Sequence, residues 1–165
     1  MVATLFRFVR LLSLVLWIGG IALFAFVVAP IAFGRLPNAH EAGLVVGGTL
    51  QVLHWLGLVC GGVFLALTLI ANGRRVRSWR HLAAECLLDI AMMAITAYSQ
   101  FGVLPAMARY RAEVGGTVAA ASEAAPARRK FEQIHKTSEQ LEGAVLIAGS
   151  VYYWLWRLKA VQSGR

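Results

Sequence analysis

Three sets of polar and ionisable side chains fall at helical spacing inside or beside apolar stretches of this 165-residue chain. His81, Glu85 and Asp89 stand at i, i+4 and i+8, so a helix carries all three on one face, and Thr96 and Gln100 roughly continue that face. Two carboxylates on successive turns repel when both are ionised, which requires either a protonated member or a nearby cation. Arg10, at a similar depth on the first apolar segment, is the candidate cation. The set reads either as an ion or proton entry site or as a structural salt-bridge cluster near an interface. The second set is His54 with Gln51 one turn away. It could ligate haem or a metal, or relay a proton; the plainer reading is an interhelical hydrogen bond that locks a bundle. The third set, His135, Ser138 and Glu142 at i, i+3 and i+7, forms a polar stripe leading into the last apolar run. Its plainer reading is a solvated face that ends in an interhelical hydrogen bond.

Hydrolytic chemistry finds little support. The chain has no nucleophile elbow, phosphate-binding glycine loop or HExxH motif, and His135 with Ser138 lacks an evident third group to orient the pair. Met92, Met93, Cys60 and Cys86 include soft donors of the kind copper takes, but their setting in apolar runs fits packing. The two cysteines match neither a disulfide framework nor a zinc site. No cofactor is expected from these patterns, with haem or copper at His54 as the alternative.

The elements that must position these groups are long apolar helices, in a composition that is 59% hydrophobic. Leu11 to Phe33 contains no charge. It is too long for the roughly 7 to 15 apolar residues of a signal peptide and meets the roughly 20 that cross a bilayer. The reading is one domain, residues 1–165, with spans at about 5–33, 42–71, 81–104 and 138–159. The first two are joined by a short turn-forming stretch, so they are expected to be antiparallel neighbours. Pro105 is expected to end the third span, with a long connection following to Ala125. Pro126, a good first-turn residue, can start the last helix early, leaving about three turns outside the bilayer. The expected fold is therefore all-α, an integral membrane bundle of four transmembrane helices, with the last one extended on the outer side.

The net charge of +8 comes from short basic clusters beside the apolar runs, which points to lipid headgroups and away from nucleic acid. Nine Lys and Arg, including Arg74, Arg75, Arg77 and Arg80, lie on the side of the termini, against seven on the other. By the positive-inside rule both termini are cytoplasmic, in a cell inner (plasma) membrane. In the second span Gly43, Gly47, Gly57 and Gly61 form two GxxxG pairs on the face of His54, suited to close helix contact.

Trp17-Ile18-Gly19-Gly20 with Pro30, Ala42-Gly43-Leu44-Val45, Pro105, and Phe131-x-x-x-His135-x-x-Ser138 together resemble the transmembrane protein 205-like family over nearly the whole chain. The resemblance implies four helices and a membrane location, and some members have been linked to drug resistance, with no settled biochemical activity. Where that family usually has Asn seven residues after the histidine, this chain has Glu142. The Trp-Gly-Gly segment is also similar to copper-resistance D proteins and the protoporphyrinogen oxidase J family. Those often place a histidine two turns before the tryptophan, where this chain has Arg10.

The expected function is a noncatalytic membrane protein that acts as an oligomeric scaffold or an accessory subunit, with a second copy or other membrane subunits as partners. The alternatives are a small ion, proton or solute transporter using intramembrane carboxylates and His54, and a haem or copper binder.

Overall fold

The computed structural model describes residues 2–72, 79–113, 118 and 125–162, and all but a few of these are helical. The chain runs through α1 (Val2–Leu23), a π-helical turn (Phe24–Val28), α2 (Ala29–Arg35), α3 (Ala39–Asn72), α4 (Trp79–Tyr98), a second π-helical turn (Ser99–Val103), α5 (Leu104–Glu113) and α6 (Pro126–Gln162). The helices α1, α3, α4 and α6 form a square: α1 packs on α3, α3 on α4, α4 on α6 and α6 back on α1. Asn38 caps the start of α3, its Oδ1 accepting from the Glu41 N–H (2.9 Å) while its Nδ2 donates to Glu41 Oε1 (2.9 Å).

Thr4–Arg35, Ala39–Ala71 and Leu82–Glu113 are each long and apolar enough to cross a membrane, yet no more than 33% of each apolar window is buried within the chain. Phe26, Val52, Val59, Leu87, Phe101 and Ile147 stand exposed on the outer faces. An apolar surface of that extent needs a solvent other than water, which suggests a membrane protein. The fourth long helix, α6, is less apolar because Glu142 and a Tyr- and Trp-rich end interrupt its hydrophobic run.

The third span departs from the expectation that Pro105 ends it. The helix continues to Glu113, and Ala106 to Glu113 belong to α5. Pro30 and Pro105 each sit second in a helical segment, directly after a π turn. A proline lacks the N–H of the regular ladder, and its ring crowds the carbonyl four residues back, here Phe26 and Phe101. The wider turn absorbs that conflict: the Ala29 N–H bonds to Phe24 O, and the Leu104 N–H bonds to Ser99 O. The helix is re-aimed and not stopped.

The core is a compact apolar layer of Trp17, Ile21, Cys60, Met92 and Val145, continued toward the termini by Leu14, Phe64 and Tyr152. Tyr152 lies edge-on to Phe64 at 5.2 Å between ring centroids. Gly57 and Gly61 make this layer possible. A Cβ on Gly57 would overlap the indole of Trp17, and one on Gly61 would come within 2.7 Å of both Trp17 and Met93. A Cβ on Gly48 meets nothing within 4 Å. Trp17 is nearly fully buried and has no room to retreat. Gly57→Ala should therefore lower stability by about 1 to 3 kcal/mol, read as a fall in thermal midpoint in detergent, while Gly48→Ala should leave the midpoint unchanged or slightly raised.

Candidate functional site: a buried His54–Glu142–Gln100 contact below a cavity

His54, near the middle of α3, is 1% exposed, with both ring nitrogens engaged. Nε2 lies 2.7 Å from Glu142 Oε1 on α6, and Nδ1 lies 3.1 Å from Gln100 Oε1 in the second π turn. Each partner comes from a different element, and the π turn is what delivers Gln100 to the ring. With the amide oxygen of Gln100 facing it, Nδ1 carries a proton and donates. Nε2 then either donates to the Glu142 carboxylate or accepts from the Glu142 O–H. Either way one proton lies between His54 and Glu142, and the pair is neutral as a unit. That neutrality lets two ionisable groups sit in an apolar interior without the full cost of burying a net charge. Glu142 Oε2 is buried and has no hydrogen-bond partner among the described residues.

Above this contact the bundle divides. Past the π turns α2 stays on α3 and α5 stays on α6, with little packing between the two pairs. The division leaves a cavity of about 730 Å³. Its walls are mainly apolar, including Phe24, Leu50, Leu104, Met107 and Leu146, and Glu142, Gly143 and Ser138 lie deep on its α6 side. Polar groups gather toward its outer end: His40, Arg111, Arg128, Glu132 and His135. Arg128 is ion-paired with Glu132 at 3.0 Å, and His135 faces Glu139 at 3.3 Å while stacking on Phe131.

The structure joins members of all three polar sets and leaves the carboxylates Glu85 and Asp89 apart from them. Glu142 and Ser138 of the outer stripe meet the cavity, and Glu142 reaches His54; His135 stays at the rim. Gln51, expected beside His54, is exposed: the buried residues Leu50, Gly61, Phe64 and Thr68 lie to one side of His54 around the helix, and Gln51 lies about 60° to the other. Its place is taken by Gln100, which the carboxylate face of the third span contributes from its far end. Glu85 and Asp89 are buried, but eleven residues of helix, roughly 16 Å, separate Asp89 from Gln100. The Trp17–Met92–Val145 layer occupies that interval. Arg10 lies over the Phe64 ring at 5.4 Å, and no ion pair joins it to Asp89 among the described residues. His81 is in the first turn of α4, with its side chain outside the described residues, as are Arg74, Arg75 and Arg77.

The arrangement can hold a proton and offer one free carboxyl oxygen to a molecule in the cavity. It is poorly arranged to hold a metal ion. Among the described residues no three His, Cys, Asp or Glu side chains converge, and ligation by His54 would sacrifice one of its two hydrogen bonds. Sequence reasoning missed Arg111, which seemed to lie in a loop beyond Pro105. The signal was present in the repeated Phe-x-x-x-Pro spacing, Phe26 to Pro30 and Phe101 to Pro105, which marks two helices that bend instead of ending.

The fold and site define a helical bundle with membrane-type surfaces and a buried polar centre at His54. Residues 12–115 match the family model of a domain of unknown function, DUF4149, over more than half of the chain, and the chain belongs to that family. The matched segment includes His54 and Gln100 but not α6, so Glu142 comes from outside it. The match carries neither the transmembrane protein 205-like resemblance nor the copper-resistance D one. No curated protein and no solved structure matches the chain.

The His54–Glu142 contact should respond asymmetrically to mutation. His54→Ala strands a buried carboxyl group and should cost about 3 to 5 kcal/mol. Glu142→Gln keeps a hydrogen-bonding group against Nε2 and should cost about 1 kcal/mol. Replacing both residues with Leu should recover most of the His54→Ala loss. Unfolding in mixed micelles measures all three.

Proposed function

We propose that this chain is a four-span integral membrane protein of the cell inner membrane, with cytoplasmic termini. On this reading it binds a small amphipathic molecule within its bundle, as a carrier or small-solute transporter and not as an enzyme. The observation that supports this is the cavity of about 730 Å³, mostly apolar, whose deep end offers the unpartnered Oε2 of Glu142. Small-molecule sites have this character: a concave apolar enclosure with a few fixed polar groups. The ligand has an apolar body and a hydrogen-bond donor that reaches Glu142, while His54 holds the other carboxyl oxygen in place. Four spans and a membrane location are also what the transmembrane protein 205-like resemblance implies.

A scaffold or accessory-subunit role is the second reading. The observation favouring it is the outward face of α3, where Gly48 and Gly62 have open space around them. The other glycines of that helix are used within the chain: Gly57 and Gly61 accept Trp17, Gly43 accepts Arg111, and Gly47 lines the cavity. Native mass spectrometry showing only monomer with no copurifying subunit removes this second reading.

Gly143 lines the cavity, and a Cβ there meets nothing within 4 Å, so a larger side chain fills the space without displacing backbone. Tritiated lauryl alcohol should bind the wild-type protein in nanodiscs above the level of empty nanodiscs, and Gly143→Leu should reduce this excess at least tenfold. Equal binding by both proteins refutes the cavity as the site. Topology is tested separately with impermeant thiol reagents on intact cells: Asn38→Cys should be labelled and Thr4→Cys should not.

A further inference from the structure

Arg111 ends α5 on the cavity wall, half-buried, where its guanidinium lies 5.5 Å from the Phe131 ring centroid and its Nη2 donates to Gly43 O at 3.5 Å. The second contact is long for a hydrogen bond. Among the described residues no carboxylate pairs with Arg111, whereas its neighbour on the wall, Arg128, is held by Glu132. Gly43 gives the guanidinium its seat, since a Cβ there would lie 3.1 Å from Nη2. A cation stacked on an aromatic ring and bonded to one carbonyl keeps most of its five donors available. It is also the atom group that bridges α3 and α5 at the mouth, where the helix pairs otherwise barely touch.

Gly43 and His54 are eleven residues apart on α3, which puts Arg111 and the Glu142 contact roughly 16 Å apart along the cavity. Between them the wall is mainly apolar, with Ser138 one turn from Glu142. We propose that Arg111 selects the ligand by its charge: the cavity takes an amphipathic organic oxyanion whose anionic group sits on Arg111 at the mouth. The apolar body fills the space between the helix pairs, and a hydroxyl or similar donor at the far end meets Glu142. This assignment deepens the binding reading above and rests on it. Length matters as well as charge, because a soluble anion satisfies Arg111 alone and leaves the apolar wall uncovered. The ligand's anionic group displaces the weak bond to Gly43 O, so binding at the mouth also releases that bridge between α3 and α5.

The test uses full-length protein in nanodiscs of zwitterionic lipid at about pH 8, where a carboxylic acid is ionised. Tritiated ω-hydroxylaurate is compared with the neutral diol of the same chain length. Wild type should prefer the carboxylate at least tenfold, Arg111→Gln should abolish that preference while still binding the diol, and Arg111→Lys should keep much of it by retaining the charge. Should Arg111→Gln fail to fold, the wild-type preference and the Arg111→Lys result carry the decision. Equal binding of acid and diol by wild type overturns the proposal and leaves the cavity reading standing. Binding of neither probe removes both. Inorganic phosphate competing as strongly as ω-hydroxylaurate shows that the headgroup alone is recognised, and it overturns the amphiphile assignment.

Discussion

A carboxyl group and an imidazole buried together near the middle of an apolar bundle impose the strictest demand in this structure. Alone, Glu142 would be expensive to bury and His54 would lose the partner of its Nε2. Together, with Gln100 completing the ring's partners at 3.1 Å, they share one proton and form a neutral unit. The demand is geometric as well as electrostatic. It needs α3, α6 and the second π turn within hydrogen-bond reach at one level, and that registry depends on the packing beneath. Gly57 and Gly61 let Trp17 fill the space between α1 and α3, and Val145, fully buried, brings α6 against the same layer one turn from Glu142.

The same registry opens the cavity. Below the polar contact four helices close on one another; above it the two proline-linked π turns change the direction of the first and third spans. Each bent segment stays with its sequence neighbour, α2 with α3 and α5 with α6, so the space between the pairs is a consequence of backbone geometry. Pro30 and Pro105 therefore do more than tolerate a kink. They set where the bundle stops being solid.

The sequence made much of this legible. Unbroken apolar runs revealed the helices, and the turn residues around Pro37 separated the first two. Helical spacing put Glu142 and Ser138 on one face and singled out His54 as facing a neighbour closely. It failed in two informative places. Gln51 was matched to His54 because the two are near on one helix, but a side chain's partner across a bundle depends on which residues of other helices share its level. Spacing within one helix holds no such information. Pro105 was read as a terminus because proline breaks the α ladder; whether the chain then stops or widens into a π turn is decided by packing on both sides of it, here α5 against α6. Arg111 was lost with that error, since a residue assigned to a loop has no wall to line.

The separation between the polar sets limits what the bundle can do. A path for an ion or proton from the cavity to Glu85 and Asp89 would have to cross Trp17, Met92 and Val145, none more than 2% exposed. An indole or an aliphatic group relays no proton, so the polar groups that α4 and the second π turn offer in that interval are the buried hydroxyls of Thr96 and Ser99. The cavity is thus open at one end and closed at the other in this conformation. Entry through the mouth needs no rearrangement of the core, whereas the Trp17 layer beneath is closed by the Gly57–Trp17 contact. A rigid ring seated against a glycine backbone does not yield by small side-chain motions. Separating α1 from α3 would break the most extensively packed pair in the bundle, and with it the contact that positions His54.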